Sequence, residues 1–312
     1  MIEIDHLRKS FGALNAVDDI TFSVSPGEIL GFLGPNGAGK STTMKVITGF
    51  LAPTSGSVRI WGCDIEKDTI LAQKMIGYLP EGAPCYEEMT PRTFLNFIAE
   101  VRGLRGTTRA QRVESVVATM SLGKVLDQRI ETLSKGFKRR VGLAQAIIHD
   151  PKLLILDEPT DGLDPNQKHQ VREMIRSLSR DKIVIISTHI LEEVTAVCTR
   201  ALIISSGRIV SDCRPSELEE QSRYHGAVTL RLVDAERAQA LVPRLDAIPS
   251  VGAVETSADG LEVTAFRAGT EGDVLSDLSA LAQDNSLGIR GIYQEKGRLD
   301  EVFRQVTEGV AA

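Results

Sequence analysis

The sequence predicts an α/β fold around a central covered sheet, followed by a small α+β domain. Two apolar runs, LLILD at 153–157 and KIVIIST at 182–188, have the composition of central strands buried on both faces. A glycine-rich loop at 34–42 follows one strand-like segment and precedes a predicted helix. Near residue 222 the pattern changes to alternating strands and amphipathic helices. The 312 residues are enough for two domains.

The N-terminal part of the chain predicts short strands on either side of the glycine-rich loop. ITFSV (20–24) alternates apolar and polar residues, and EILGFL (28–33) runs into the loop as a buried strand. KSTTMKVITG (40–49) is typical of a helix that ends at its glycine. SVRIWG (57–62) and the end of KMIGYLP (74–80) predict two further strands.

A helical segment is expected over residues 90–132. Thr90 is a favourable N-cap, and Pro91 then stands at the first helical position. The α/β pattern returns further along, where RALIISSG (200–207) and RIVSDC (208–213) predict a strand pair. Four apolar residues recur at helical spacing in the first part of the segment: Phe94, Phe97, Ile98 and Val101.

The pattern places a domain boundary at residue 222, between a first domain at 1–222 and a second at 223–312. The second domain has the predicted element order β-α-β-β-α-β-α, which is typical of α+β folds, and a ferredoxin-like fold is one expectation for it. It shows no catalytic motif and no internal repeat. Dimer contact, regulation and partner docking remain open as its roles.

Composition excludes several classes of protein. The net charge of −6 and an aromatic content of 4% argue against nucleic-acid binding through bulk charge or base stacking. The four cysteines lack zinc-type spacing, so we expect reduced thiols in a cytosolic protein. We expect neither a secretory signal nor a membrane span, since no apolar run is long enough. Any contact with a membrane would therefore go through a partner.

The glycine-rich loop GPNGAGKST matches the pattern G-x-x-x-x-G-K-[ST] at every fixed position. Its glycines let backbone N–H groups surround a polyphosphate, and the following helix N-terminus adds a favourable partial charge. Lys40 would reach the β- and γ-phosphates, and Ser41 would ligate Mg²⁺. A glycine-rich turn before a helix, without ligand, is the alternative. The candidate phosphate-binding residues are Gly34, Pro35, Asn36, Gly37, Ala38, Gly39, Lys40, Ser41 and Thr42.

Two carboxylates end the apolar run LLILDEP. Burying a carboxylate at a strand end is costly unless it serves a charge, so Asp157 suits contact with Mg²⁺, usually through water. Glu158 suits a general base for the attacking water. A structural acidic cluster is the alternative. His189 follows the next apolar strand, where histidine is more often structural, although it could reach the edge of the γ-phosphate.

Five motifs follow one another along the chain: GPNGAGKST, LSKGF (133–137), LLILDEP, DGLD (161–164) and STH (187–189). In this order they resemble the motifs of the ATP-binding subunits of ABC transporters. The resemblance covers about residues 1–220. It implies a P-loop NTPase domain of the ABC type, with a mixed-sheet core, an antiparallel β subdomain and a helical subdomain at about 84–133. It implies ATP and Mg²⁺ as cofactors.

The resemblance also assigns roles to residues outside the phosphate loop. Family members work as head-to-tail dimers, in which each ATP lies between the phosphate loop of one subunit and the signature segment (residues 133–137) of the other. That segment opens a helix for which Ser134 is a suitable N-cap. The implied residues are Phe11 for adenine stacking, Glu81 at the position of the Q-loop glutamine and as a metal contact, Ser134 and Gly136 in the signature segment, Asp164 in the D-loop and His189 as the switch histidine.

Two departures from the family pattern stand out. LSKGF replaces the usual LSGGQ, so Lys135 stands for a glycine and Phe137 for a glutamine. Glu81 replaces the Q-loop glutamine and cannot donate as an amide does. Both variants resemble an exporter-type branch that includes gliding-motility and multidrug or antibiotic-export subunits. Lys135 would either add positive charge near the partner's ATP or point to solvent.

The resemblance implies an ATPase subunit that powers a separate polytopic membrane exporter. ATP would close a homodimer, or a pair of related subunits, and hydrolysis would reopen it. The helical subdomain would meet the membrane subunit, unless it is only a packed insert, and Glu81 would carry the coupling. The chain would lie on the cytoplasmic face of the membrane and bind no nucleic acid. The alternatives are a soluble ATPase acting on nucleic acid or ribosomes, and a regulatory module that binds ATP without hydrolysis, against which Glu158 argues.

Overall fold

A computed structural model shows a chain of two compact units, of which the first contains Met1–Pro215 and the second contains Ser216–Gln305. None of the helices in the described part of the chain is long and apolar enough to cross a membrane. The structure describes residues 1–83, 85–269, 273–282 and 287–308.

Strands of the first unit form two sheets. Its strands are β1 (Ile2–Phe11), β2 (Leu14–Val24), β3 (Ile29–Leu33), β4 (Ser55–Ile60), β5 (Cys63–Asp64), β6 (Ile76–Leu79), β7 (Leu153–Asp157), β8 (Ile183–Thr188), β9 (Arg200–Ser205) and β10 (Arg208–Cys213). The larger sheet has the order β10-β9-β3-β8-β7-β6, in which all pairs are parallel except the antiparallel pair β9–β10. The smaller sheet, β2-β1-β4-β5, is antiparallel. The predicted mixed-sheet core and antiparallel subdomain are thus confirmed.

The helices of the first unit cover the larger sheet and build the helical segment. They are α1 (Lys40–Ile47), α2 (Thr69–Lys74), α3 (Pro91–Val101), α4 (Gly106–Thr119), α5 (Lys135–Ile147), α6 (Pro165–Leu178) and α7 (Leu191–Val197). Thr90 caps α3 through a reciprocal pair of hydrogen bonds with Thr93, as its residue type and the following proline suggested. Short 3₁₀ turns at Gly123–Val125 and Ile130–Thr132 then lead to α5.

One hydrophobic core joins the two sheets of the first unit. Phe22 of the smaller sheet and Phe32 of the larger one have ring centroids 5.8 Å apart, and both are buried. Met44 and Ile47 of α1 belong to the same cluster. One face of α1 is therefore packed into the core that both sheets share.

The C-terminal half of α5 is held tightly against β6. A Cβ at Gly77 of β6 would lie 2.1 Å from the carbonyl oxygen of Ala146, so only glycine permits this approach. Gln145 donates to the carbonyl of Tyr78 at 2.9 Å, and His149 Nε2 lies 2.9 Å from the carbonyl oxygen of Ile76. Burial is the main reason why the pKa of His149 falls to about 4. The position of α5 is therefore set by backbone contacts at its far end.

The second unit has its own sheet and core. It contains most of α8 (Pro215–Glu220) and of α11 (Leu299–Glu308), together with β11 (Val228–Leu232), α9 (Ala235–Asp246), β12 (Val251–Thr256), β13 (Glu262–Arg267), α10 (Val274–Ala282) and β14 (Ile289–Gln294). The antiparallel strand order is β12-β13-β11-β14, so the first and third strands are central. Leu230, Leu241 and Leu278 are buried together between this sheet and its helices.

The structural division falls between Pro215 and Ser216, earlier than the boundary predicted at residue 222. Ser222 accounts for part of this difference. Its hydroxyl donates to the Glu301 carboxylate at 2.7 Å and accepts from the backbone N–H of Arg298 at 3.0 Å. These bonds tie the segment after α8 to the second unit.

Gly77→Ala is expected to destabilise the first unit, because the new Cβ would meet both the Ala146 carbonyl and, at 2.8 Å, Cγ of Pro151. Overpacking of this kind costs about 1–3 kcal/mol. Urea denaturation followed by circular dichroism measures the loss. Gly123→Ala is the matched control, since nothing lies within 4 Å of its added Cβ. Equal midpoints for the two variants would contradict the close packing of α5 on β6.

Candidate functional site

The phosphate loop forms a tight turn between β3 and the start of α1. Gly37 and Gly39 have positive φ angles of 82° and 107°, which L side chains rarely adopt. At Gly39 a Cβ would also lie 2.3 Å from the carbonyl oxygen of Ala16. The loop therefore requires glycine at that position. The other candidate residues of the loop, Gly34, Pro35, Asn36, Ala38, Ser41 and Thr42, lie around this turn and the first turn of α1.

Lys40 is the first residue of α1, and its side chain folds back over the loop. Its Nζ donates to the carbonyl oxygens of Gly34 at 2.7 Å and Pro35 at 3.1 Å. Burial lowers the pKa of Lys40, and three nearby carboxylates act in the opposite direction. They belong to Glu158, Asp157 and Glu81. The structure thus brings the predicted loop lysine and the predicted carboxylates into one electrostatic neighbourhood.

Asp157 and Glu158 occupy different environments at the end of β7. Asp157 is 2% exposed and pairs in register with Ser187 of β8. Glu158 has a positive φ of 50°, so its backbone departs from the strand. That residue accepts hydrogen bonds from Thr188 Oγ1 at 3.2 Å and from the His189 backbone N–H at 3.1 Å. The turn therefore aims one carboxylate out of the sheet while the other stays at its edge.

Glu158 and His189 form a direct side-chain pair. His189 Nδ1 lies 2.7 Å from Glu158 Oε1, and the Glu158 side chain is 12% exposed while that of His189 is 54% exposed. The pair leaves the other ring nitrogen of the exposed histidine available. A carboxylate held by three neighbouring groups has a fixed direction, which is what a general base requires.

Arg139 of α5 is a site residue that sequence reasoning missed. It is 5% exposed, and its guanidinium donates to two backbone carbonyls, those of Asp157 at 2.8 Å and Pro159 at 3.2 Å. These carbonyls flank Glu158. The sequence showed only a run of basic residues after Gly136, and its helical phase was the one signal that could have placed Arg139 on the buried face.

Glu193 of α7 was also missed. It is 3% exposed, and neither oxygen has a hydrogen-bond partner in the described part of the chain. Burial raises the pKa of Glu193 and the Glu158 charge acts in the same direction, whereas the nearby Thr188 hydroxyl acts against them. The surroundings of Glu193 therefore disfavour its charged form.

The signature segment opens α5 as predicted. Ser134 is the N-cap and accepts from the Phe137 backbone N–H at 3.4 Å. Gly136 is buried, and a Cβ there would lie 2.2 Å from Oε1 of Gln167. Lys135 is exposed, and its aliphatic stem runs beside Gly162 of the DGLD segment. Within the described residues, no hydrogen bond joins this segment to the phosphate loop.

Phe11, Asp164 and Glu81 lie at three separate positions. The Phe11 ring at the end of β1 is 48% exposed, with Lys9 Nζ 5.1 Å from its centroid. Asp164 caps α6, accepting from the Gln167 backbone N–H at 2.9 Å. Glu81 is exposed after β6, on the side where its charge acts on Lys40.

The predicted metal-binding residues are chemically suited to Mg²⁺. Ser41, Asp157 and Glu81 offer only oxygen ligands, which Mg²⁺ prefers, and both carboxylates act on Lys40 of the loop. No group of three or more His, Cys, Asp or Glu side chains placed to hold a metal exists in the described ranges.

The family model described as "ABC transporter" matches residues 17–161 of this chain. Nod factor export ATP-binding protein I of Paraburkholderia xenovorans (strain LB400) is 38% identical over 218 residues, which are 70% of this chain and 72% of that protein. Linearmycin resistance ATP-binding protein LnrL of Bacillus subtilis (strain 168) is 30% identical over 308 residues, or 98% of both chains. The similarity to LnrL thus extends over both units.

Solved structures share the fold of the first unit. A structure described as the ATP-binding subunit of an ABC transporter has a TM-score of 0.66 and 31% sequence identity, and the match covers 71% of this chain and 92% of that chain. A dimeric ATP-binding cassette in a post-hydrolysis state with ADP and Pi has a TM-score of 0.64 at 21% identity, covering 69% of this chain and 99% of that chain. The second likeness concerns the fold alone.

Proposed function

Since the chain belongs to the family of ATP-binding subunits of ABC transporters, we propose that it binds and hydrolyses ATP to power a membrane exporter. The observation that carries this proposal is the Glu158 carboxylate, fixed by Thr188 and His189 beside the phosphate loop. The names of the relatives, which include Nod factor export, linearmycin resistance and probable multidrug transport proteins, support an export function.

In this proposal the phosphate loop binds the triphosphate. Lys40 would exchange its bonds to loop carbonyls for the β- and γ-phosphates. Bound Mg²⁺ would neutralise phosphate charge, and Ser41 and Asp157 would hold it, with Glu81 at its edge. The half-exposed ring of Phe11 offers a face on which adenine can stack.

Glu158 would act as the general base. Its carboxylate would take a proton from the water that attacks the γ-phosphate. Thr188 and the His189 backbone fix the carboxylate by donating to it, and the exposed side of the His189 ring would meet the γ-phosphate. This division of roles explains why the base leaves the strand through a left-handed turn while Asp157 remains in it.

We infer that the ATP site is completed by a second copy, or a related subunit, in a head-to-tail dimer. The free N–H groups at the start of α5 suit an anion. Among the described residues, no hydrogen bond joins this helix start to the phosphate loop of the same chain. Ser134 and Gly136 would meet the γ-phosphate held by the partner, with Asp164 in the adjoining DGLD segment.

A groove beside α3 is suited to a membrane subunit. It has a volume of about 690 Å³ and is lined by apolar side chains of high exposure, Phe50 at 78%, Ile70 at 72% and Val101 at 66%. An amphipathic cytoplasmic segment of the membrane subunit would cover them. Tyr78 of β6 lines the same groove, and Glu81 follows it in sequence and acts on Lys40. In this proposal Glu81 would couple the groove to the ATP site.

The remaining assignments follow from this arrangement. The chain would lie at the cytoplasmic face of the membrane, held there by its partner. Residues 216–305 would form an accessory domain, for which the central first and third strands support a ferredoxin-like fold.

Glu158→Gln is expected to lower phosphate release from purified protein by at least about 100-fold, since a positioned general base contributes about 10²–10⁴-fold. Affinity for a fluorescent ATP analogue is expected to stay within about twofold, because the phosphate loop is intact. Glu192→Gln is the matched control, as its side chain is 75% exposed on α7. Wild-type turnover in Glu158→Gln would refute the assigned base. If the wild type releases no phosphate even with its membrane subunit, the alternative of a regulatory module that binds ATP without hydrolysis would be favoured.

Ser134→Arg is expected to abolish cooperative hydrolysis while leaving ATP binding to the phosphate loop within about twofold. The arginine removes an N-cap and fills the space for the partner's γ-phosphate. Nucleotide titration and phosphate release measure the two effects. Thr107→Arg, an exposed position in the first turn of α4, is the control. Loss of nucleotide binding itself in Ser134→Arg would argue against a site shared between two subunits.

Phe50→Asp is expected to reduce co-purification with a coexpressed membrane subunit, since a charge would be buried in an apolar contact. Pull-down through a tag on the membrane subunit measures the loss, and an unchanged Tm shows that the variant folds. Val233→Asp is the control, because Val233 is 41% exposed outside the groove. Equal recovery of the two variants would rule out this groove as the docking surface.

A further inference from the structure

Arg139 and Arg140 are neighbours on α5 with different surroundings. The Arg139 guanidinium is buried and donates only to backbone carbonyls, at Asp157 and Pro159, among the hydrogen bonds described. Arg140 is half-buried and donates to Gln170 Oε1 at 2.7 Å. Burying a guanidinium is costly, so an arginine that spans two carbonyls at this depth indicates a specific task.

The two carbonyls bracket a strained residue. Glu158 has φ of 50°, a conformation that is unfavourable for a non-glycine residue and persists only where the surroundings hold it. From the sheet side, its backbone N–H donates to Ser187 O at 2.8 Å. From the helix side, Arg139 donates to the carbonyl of the peptide unit before Glu158 and to the carbonyl of the next residue, Pro159. The direction of the Glu158 carboxylate therefore depends on where α5 lies.

The charges near Arg139 are consistent with this position. Burial lowers the pKa of Arg139, and the carboxylates of Asp161, Asp157, Glu158 and Glu193 raise it. A guanidinium remains protonated in such surroundings. Its planar donors can bind two carbonyls at once, which a lysine cannot reproduce.

We propose that Arg139 is a positioning residue that transmits the state of the signature segment to Glu158 of the same subunit. The inference rests on the proposed head-to-tail dimer. There, Ser134 and Gly136 meet the ATP held by the partner, whereas Glu158 acts on the ATP held by its own loop. Arg139 lies on the same rigid helix as the signature residues, about 7.5 Å along its axis from Ser134. It therefore joins the two ATP sites, and occupancy of one sets the geometry of the base in the other.

Steady-state hydrolysis by the full-length chain tests this link. Arg139→Met keeps a long side chain and removes both donors. Its kcat is expected to fall at least about tenfold, its affinity for a fluorescent ATP analogue to stay within about twofold, and its Hill coefficient for ATP to fall from near 2 to near 1. Arg139→Gln keeps one donor and is expected to recover part of both kcat and cooperativity. Arg140→Met is the matched control and is expected to match the wild type.

Three results would overturn the proposal. One is an Arg139→Met variant with the kinetics of Arg140→Met. A second is a lower kcat with an unchanged Hill coefficient in both Arg139 variants. A third comes from light scattering in the Glu158→Gln background: if adding Arg139→Met or Arg139→Gln abolishes the ATP-dependent dimer, the arginine only maintains the shape of α5.

Hydrogen exchange separates failure of this link from failure of the proposed function. A wild-type protein that hydrolyses no ATP would refute the proposed function. The comparison of hydrogen exchange between the two variants does not depend on hydrolysis. On addition of ATP, exchange at residues 157–161 is expected to slow in Glu158→Gln and to slow less in Glu158→Gln with Arg139→Gln. Equal slowing in the two proteins would overturn the link, whatever the ATPase activity.

Discussion

The backbone at Asp157–Pro159 is the constraint on which the rest of the site depends. Within three residues the chain ends a buried strand, enters a left-handed conformation and presents a carboxylate. A backbone in that region is unfavourable alone, and two elements from different parts of the chain hold it. Strand β8 accepts the Glu158 N–H, and α5 donates to the carbonyls on both sides. A change in either element would redirect the carboxylate without touching it.

This constraint explains why α5 is packed so closely. Its far end has little freedom, because Gly77 lets the helix backbone approach β6 to within contact, and Gln145 and His149 bond to strand carbonyls. Its near end is free to meet an anion, since a helix N-terminus has unsatisfied N–H groups. Arg139 lies between these ends. A rigid element anchored at one end and bonded to the Glu158 turn in its middle can convert a contact at its start into a small rotation of the base.

The sequence predicted the parts of the site that depend on local geometry. A phosphate loop needs glycine at defined positions, and a carboxylate at the end of an apolar strand implies a charge nearby, so the sequence pattern predicted Lys40, Asp157 and Glu158 as candidate site residues. The structure brings their charges close together. The buried central strands followed from their apolar composition and the cap of α3 from Thr90-Pro91, whereas the mixed sheet was implied by the family resemblance. Arg139 and Glu193 were missed because their roles arise from contacts with carbonyls and carboxylates far along the chain. The boundary near residue 222 differed for the same reason, since Ser222 is tied to Arg298 and Glu301.

The two departures in the signature segment are compatible with anion binding in the proposed dimer. Helix N-termini bind phosphate mainly through backbone N–H groups, which a change of side chain leaves in place. Phe137 lies with its ring centroid 5.5 Å from the Arg140 guanidinium, and the stem of Lys135 runs beside Gly162, so both side chains contact their own subunit. Gly136, where a Cβ would collide with Gln167, has kept the residue of the family pattern. Lys135 and Phe137 thus change side chains that contact their own subunit, while the backbone N–H groups of the first turn of α5 remain in place for an anion.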